Sequence, residues 1–260
     1  MIRAMCEQFV ARAAEPFRLD DLWSFAERLE QYGIAGFGWG AAWIEGVGGL
    51  GCHRDVRAFR DDPRREAIGA IETTSALVHL RRPSRLSTLD LPDTQPFADP
   101  RARFAFSHNG DLRDWRPARA RYRAEGRILG RADSEVGQRW LEDRWDGAAD
   151  AHRLQSAERD GDPDGGDGAW LLRELHATFG GHANLATLAA DGTARHYAGN
   201  DENPVFTFRL GRIGIASTAI YSVDRSLFRF AARGATNRRL VRLQTTVTLD
   251  GNGEARLLQV

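Results

Sequence analysis

Met5–Ala13 reads MCEQFVARA and places a cysteine directly before an apolar run that can form a short strand. A sulfur nucleophile needs a base that takes its proton. A cysteine at a mature N-terminus carries such a base, because its free α-amine has an ordinary pKa of roughly 7.7–8.0. The stretch therefore has two interpretations: a nucleophile at Cys6, or a small buried cysteine in a first strand.

Processing of the N-terminus decides between these interpretations. Met1 precedes the large residue Ile2, which disfavours removal of the methionine, whereas Met5 precedes a small cysteine, which favours it. We therefore expect residues 1–4 to be a misassigned start or a short removed leader, and the mature chain to begin at Cys6. Residues 1–18 carry scattered charges and lack the apolar core of a signal peptide.

Three stretches farther along the chain carry residues that could complete a site around this nucleophile. Arg81 follows Ser75–Leu80, a predicted buried strand, and its guanidinium could clamp a carboxylate, although an exposed arginine is the simpler interpretation. Asn109 and Gly110 can donate a side-chain amide and a backbone N–H to an oxyanion, or can simply form a turn at a strand end. Asp133 can accept an α-ammonium group or cap a helix.

The order and spacing of these stretches resemble those of the class II glutamine amidotransferases. The resemblance is closest to the short, stand-alone YafJ-type and ergothioneine-pathway amidohydrolase members, and it spans about residues 5–220. The shared motifs are Met5-Cys6, Gly38-Trp39-Gly40, His79-Leu80-Arg81, Gln95-Pro96-Phe97, His108-Asn109-Gly110, Asp133-Ser134-Glu135 and Ile215-Ala216-Ser217-Thr218. The chain departs from the family at Gln95, where a histidine is usual, and at Phe37, where an aspartate is usual.

The resemblance implies an α+β fold, the four-layer αββα sandwich of the N-terminal nucleophile hydrolases, formed by one domain over residues 5–260. It also implies a role for each candidate residue. Cys6 is the nucleophile, Asn109 and Gly110 form the oxyanion hole, Arg81 clamps the substrate carboxylate and Asp133 receives its ammonium group.

The expected reaction is hydrolysis of a γ-glutamyl amide, either glutamine or another γ-glutamyl compound, through a thioester at Cys6. Ammonia would pass to a separate acceptor enzyme, or the chain would be a plain amidohydrolase. The alternative is a catalytically silent relative that senses an amino acid or binds a partner. We expect no cofactor, and Cys52-His53 lacks the spacing of metal ligands.

The apolar pattern predicts a few helices and two sets of strands, which fits two packed sheets covered by helices. The predicted helices are Leu19–Tyr32, Ser134–Leu141 and Ala169–Phe179. The predicted later strands are His182–Ala189, Ala194–Ala198, Val205–Leu210, Ile213–Ser217, Leu240–Leu249 and Ala255–Val260. Residues 146–168 are rich in Asp, Gly and Ala, and we expect them to form an exposed insertion.

Composition narrows the classes of partner. Thirty-six basic and 36 acidic residues give a net charge of zero, which removes the long-range attraction that a nucleic-acid binder needs. The sequence has no run of about 20 apolar residues, so we expect no membrane span. Two cysteines provide no disulfide framework, and a reducing cytoplasm is the expected location.

Overall fold

The computed structural model describes residues 6–33, 35–46, 48–83, 88–156, 168–218 and 226–258. Within these residues the chain forms two antiparallel sheets and six α-helices. In spatial order, sheet A contains β11 (Thr236–Leu240), β9 (Val205–Leu210), β10 (Ile213–Thr218), β1 (Glu7–Arg18), β4 (Glu72–Leu80), β2 (Trp39–Glu45) and β3 (Gly49–Asp55). Sheet B contains β13 (Ala255–Leu258), β12 (Thr245–Leu249), β8 (Ala194–Ala198), β7 (Gly181–Ala189), β6 (Phe104–Leu112) and β5 (Phe97–Ala98).

The helices divide between the outer faces of the two sheets. They are α1 (Trp23–Gly33), α2 (Arg65–Gly69), α3 (Arg116–Ala124), α4 (Asp133–Ser156), α5 (Ala169–Phe179) and α6 (Leu227–Ala231). On sheet A, Phe25 of α1 packs between Phe9 and Phe208, with ring centroids 5.1 and 5.4 Å away. On sheet B, Trp145 of α4 stacks on Phe104 at 3.9 Å.

A third apolar cluster lies between the sheets and consists largely of small or branched side chains. Its members include Val10, Ala42, Leu77, Ala105, Ala186, Leu188, Ala216 and Val247. Because side chains alternate along a strand, each sheet presents one face to this cluster and the other to its helices. The result is the predicted four-layer αββα sandwich. No helix among the described residues is both long enough and apolar enough to cross a membrane.

The structure corrects one strand assignment. Leu240–Leu249 is not a single strand, because Leu240 ends β11 in sheet A while the last five residues form β12 in sheet B. The amide of Val241 still bonds to sheet A, and that of Gln244 bonds to Ala198 of sheet B, 2.7 Å away. Gln244 makes this crossing in a left-handed conformation with φ of 59°. A non-glycine residue there leaves no turn signal in the sequence.

Two other predicted boundaries also move. We placed Asn109 and Gly110 at a strand end, but β6 continues to Leu112 because Asn109 pairs with Asn184 and Leu112 pairs with Gly181. The predicted insertion begins inside α4, which continues to Ser156. Residues 157–167 of that stretch lie outside the described residues.

Candidate active site

Four of the five predicted site residues line one cavity of about 410 Å³. Cys6 lies just before β1, Arg81 just after β4, Gly110 inside β6 and Asp133 at the first position of α4. Two of these positions belong to sheet A and two to the sheet B side of the sandwich. Residues far apart in sequence therefore meet at one edge of the sandwich, where the two sheets face each other.

The thiol of Cys6 is held by the backbone of the residue that follows Arg81. The amide of Arg82 donates to Cys6 Sγ at 3.2 Å, and Sγ lies 3.6 Å from the Arg82 carbonyl oxygen. Burial raises the pKa of the Cys6 thiol to about 11, although the Arg82 hydrogen bond and the nearby Arg81 charge oppose the rise. The thiol is therefore protonated at neutral pH, and a base must remove its proton before it attacks.

Arg81 is buried, and it also organises the loop above the cavity. Its guanidinium donates to Thr94 Oγ1 at 3.2 Å, to the Asp90 carbonyl at 3.3 Å and to the Thr88 carbonyl. The described residues thus engage three of its five N–H groups and leave two, which is the number that a bidentate carboxylate contact needs.

Asn109 is fully buried on β6 and does not line the cavity directly. Neither its side-chain nitrogen nor its side-chain oxygen has a hydrogen-bond partner among the described residues. A buried amide without partners costs free energy in the folded state, so the position invites a functional explanation. Its neighbour Gly110 has φ of 130°, and a Cβ there would collide with the His182 carbonyl oxygen, so only glycine fits.

Asp133 both orders the start of α4 and faces the cavity. Its two carboxylate oxygens accept backbone hydrogen bonds from Leu112 at 2.8 Å and from Ser134 at 2.9 Å. The side chain is about 20% exposed, and its Oδ1 lies 4.0 Å from Nδ1 of His108. A carboxylate offers about four acceptor positions, so two remain for an ammonium group.

Sequence reasoning missed Asp93, a second carboxylate in the cavity wall. Its Oδ1 accepts the amides of Arg131 and Ala132 at 2.6 and 2.7 Å, which holds the loop that leads into Asp133. Gln95, which stands where a histidine is usual in the family, also lines the cavity, and its side chain bonds to the amide and the carbonyl of His108 and to the Ser134 hydroxyl. Asp93 left no sequence signal, because it acts through partners distant in the chain.

Another cavity, of about 660 Å³, lies elsewhere among the described residues and contains none of the predicted site residues. Its wall has neither a cysteine nor a histidine, whereas the smaller cavity contains Cys6 and His108. We therefore place the candidate site in the smaller cavity.

The family model for class II glutamine amidotransferases matches residues 5–210, which include every residue of this site. The chain belongs to the class II glutamine amidotransferases. No curated protein matches it. The family match places the chain among glutamine-utilising enzymes in general.

Solved structures agree with this amidotransferase fold. The glutamine phosphoribosylpyrophosphate amidotransferase from B. subtilis superposes with a TM-score of 0.68 at 15% identity, over 98% of this chain and 49% of that one. The chain thus spans about half the length of that enzyme. A glutamine aminotransferase class-II domain protein from Silicibacter pomeroyi has a TM-score of 0.54 at 18% identity, over 96% and 98% of the two chains. A predicted glutamine amidotransferase from Pseudomonas aeruginosa has a TM-score of 0.54 at 17% identity, over 96% and 99%.

A second cluster of polar side chains in this amidotransferase domain is satisfied internally. His53, Asp55 and Asp62 lie close enough to hold a metal ion. However, His53 Nε2 bonds to Asp62 Oδ2 at 2.6 Å, Trp39 donates to the same oxygen, and Arg57 bonds to Asp55 through both of its carboxylate oxygens. The cluster is an ion-pair network that joins β2 and β3 to the following loop.

Proposed function

We propose that the chain hydrolyses a γ-glutamyl amide, glutamine or a γ-glutamyl compound, through a thioester at Cys6. The observation that carries this proposal is the single cavity that unites Cys6, Arg81, Gly110 and Asp133. An amino acid substrate needs a cation for its carboxylate, an anion for its ammonium group and a nucleophile at its side chain.

The amino acid end of the substrate binds first. The two N–H groups of Arg81 that make no hydrogen bond to the described residues receive the α-carboxylate, and Asp133 receives the α-ammonium group. This arrangement directs the γ-amide toward Cys6. The carboxylate of Asp93 in the same wall orders the backbone beside Asp133 and so stabilises the ammonium pocket.

The attack requires a base, and the free α-amine of a mature Cys6 fills this role. Among the described residues, the hydrogen-bond partners of Cys6 Sγ are the amide and the carbonyl of Arg82, and neither is a base. The amine takes the thiol proton, and sulfur adds to the γ-carbonyl carbon. The resulting oxyanion is stabilised by the side-chain amide of Asn109 and the backbone N–H of Gly110.

Breakdown of the tetrahedral intermediate completes the first half of the reaction. The C–N bond breaks, and the α-ammonium of Cys6 returns the proton to the departing amine, which leaves as ammonia when the substrate is glutamine. The γ-carbonyl is then a thioester on Cys6. Water adds to the thioester with the same amine as base, the C–S bond breaks, and glutamate leaves with the thiol restored.

Turnover of L-glutamine and of a chromogenic γ-glutamyl anilide, followed by glutamate release, tests the proposal. Cys6→Ala removes the nucleophile and should abolish turnover. Cys52→Ala is the matched control, because Cys52 is also partly buried and its pKa is also raised to about 11 by burial, but it lies outside the cavity. Full turnover in Cys6→Ala would refute the proposal, and absence of turnover in the processed parent would favour a catalytically silent sensor.

The fate of ammonia and the location of the chain belong to the same proposal. The released ammonia either enters solution or passes to a separate acceptor enzyme, and a pull-down with the processed chain followed by a coupled amination assay distinguishes the two. Two free cysteines, Cys6 and Cys52, agree with a reducing cytoplasm.

A further inference from the structure

Directly behind the site, a buried hydrogen-bond chain joins the two sheets. Gln8 of β1 and His79 of β4 are paired neighbours in sheet A. Ser107 of β6 in sheet B contacts both, with Oγ 2.6 Å from Gln8 Oε1 and 2.7 Å from His79 Nδ1. All three residues are fully buried.

The hydrogen positions follow from the donors and acceptors. Gln8 Oε1 can only accept, so the single hydroxyl proton of Ser107 is directed to it. His79 Nδ1 must then donate to Ser107 Oγ, which makes His79 the neutral tautomer protonated at Nδ1. Burial lowers the pKa of His79 to about 3, with smaller effects from the Arg81 and His108 charges, so the ring stays neutral at working pH.

The hydrogen-bond chain extends to a second residue of sheet B. The side-chain nitrogen of Gln8 donates to Nε2 of His196 on β8 at 3.3 Å. The amide of Gln8 thus bonds to sheet B at two points, Ser107 through its oxygen and His196 through its nitrogen. These bonds hold Gln8, Ser107 and His79 in one geometry, although His79 Nε2 and His196 Nδ1 have no partner among the described residues.

Gln8, His79 and Ser107 each lie two residues from a predicted site residue, on the same strand or in its direct extension. Gln8 follows Cys6 by two, His79 precedes Arg81 by two, and Ser107 precedes Asn109 by two. Because the side-chain period of a strand is two, each pair shares a face of its sheet. The three bonded side chains therefore form the layer immediately beneath the nucleophile, the clamp and the oxyanion donor.

We infer that Gln8, Ser107 and His79 form a positioning relay that sets the separation between Cys6 on sheet A and Asn109 on sheet B. The inference rests on the proposed function, since it assigns the relay to the same thioester chemistry. Nucleophile and oxyanion donors sit on different sheets, so their spacing depends on how the sheets are joined at this layer. A displacement of about 1 Å between reacting groups can cost on the order of 10²-fold in rate.

Ser107→Ala tests the relay because it removes both of its hydrogen bonds with one small change. We expect kcat for the γ-glutamyl substrate to fall by about 10- to 100-fold with KM changed by less than about threefold. Ser107→Thr restores the hydroxyl and should recover most of the lost kcat. Gln8→Leu, which removes the acceptor from the other side, should show the same split between kcat and KM.

Ser75→Ala is the matched control. Ser75 is an equally buried serine on β4 with a hydrogen bond to the Ala11 carbonyl, far along the strand from Arg81. The Ser75→Ala enzyme should lose some stability and keep the parental kcat. A Ser107→Ala enzyme that loses only stability, as Ser75→Ala does, or a Ser107→Thr enzyme without recovery, would overturn the relay.

A second measurement does not depend on turnover. Nitrogen-15 NMR of the parent at pH 7 should show His79 as the neutral tautomer protonated at Nδ1, and Ser107→Ala should shift it toward the other tautomer. A mixture of tautomers in the parent would overturn the relay even if the enzyme is active. Absence of parent turnover together with the expected tautomer would refute the proposed function and the positioning role, while leaving the hydrogen bonds established.

Discussion

Substitution of Asn109 and substitution of Asn184 should have opposite effects on stability and activity, although the two asparagines are paired neighbours on β6 and β7 and both are fully buried. Asn109 has no partner for its side chain among the described residues. Asn184 donates to the Asn203 carbonyl at 2.6 Å and accepts the amides of Gly199 and Asn200 at 3.1 and 3.2 Å. The Asn109 amide thus has no partner among the described residues, whereas the Asn184 amide holds a loop in place.

Asn109→Ala should therefore spare stability and remove activity. The substitution breaks no side-chain hydrogen bond to the described residues and removes an unsatisfied buried group, whose burial costs about 1–3 kcal/mol. This gain offsets the lost packing, so we expect the melting temperature to stay within a few degrees of the parent. Loss of one oxyanion donor should lower kcat by about 10²–10³-fold with KM nearly unchanged.

Asn184→Ala should lower the stability and spare the activity. Three lost hydrogen bonds at about 1 kcal/mol each predict a loss of roughly 3 kcal/mol. At roughly 2–4 °C per kcal/mol for a domain of this size, the melting temperature should fall by about 6–12 °C. Thermal unfolding and steady-state kinetics at 20 °C measure both variants. An Asn109→Ala enzyme with parental kcat and a large drop in melting temperature would refute the oxyanion assignment.

Three further outcomes follow from the geometry. Arg81→Lys keeps the charge but loses the planar fork, so KM for a γ-glutamyl substrate should rise about 10- to 100-fold in steady-state assays, and an unchanged KM would exclude Arg81 as the clamp. Gly110→Ala should lower the free energy of unfolding by about 2 kcal/mol or more in urea titrations, because of the collision with His182, and parental stability would contradict it. Burial lowers the pKa of His196 to about 3. Below about pH 6.5 the unfolded chain therefore binds a proton at His196 that the folded chain does not bind, and the free energy of unfolding falls as the pH is lowered. Between pH 6 and pH 5, urea titrations should show the free energy of unfolding falling by about 1 kcal/mol less in His196→Gln than in the parent. An equal fall in both proteins would mean that His196 is protonated in the folded state.

Local patterns were sufficient for much of the fold. Ala169–Phe179 is a helix and Ala194–Ala198 and Val205–Leu210 are strands at the predicted residues, because the turn residues Gly180-Gly181, Asp191-Gly192 and Leu210-Gly211 mark their ends. The pattern failed where tertiary contacts decided the structure. At Gln244 the chain crosses between the sheets in a left-handed conformation that a glutamine does not predict. The helix α3 (Arg116–Ala124) is so rich in arginine that its sequence shows no apolar face.

The residues of the candidate site were likewise predictable only in part. Motif order was sufficient to gather Cys6, Arg81, Gly110 and Asp133, which the structure brings to one cavity. It could not reveal Asp93 or the partners of Gln8, because these depend on which strands face each other across the sandwich. Such pairings are a property of the assembled sheets, and a single sequence carries no local record of them.

The central claim is that Cys6, with a free α-amine, is the nucleophile. The most direct test is peptide mass mapping of the active protein after inactivation by a glutamine-analogue electrophile. The account predicts one adduct, on the sulfur of Cys6, in a peptide that begins at Cys6. An adduct on Cys52, or an adduct on Cys6 that is still preceded by residues 1–5 in a fully active preparation, would contradict it.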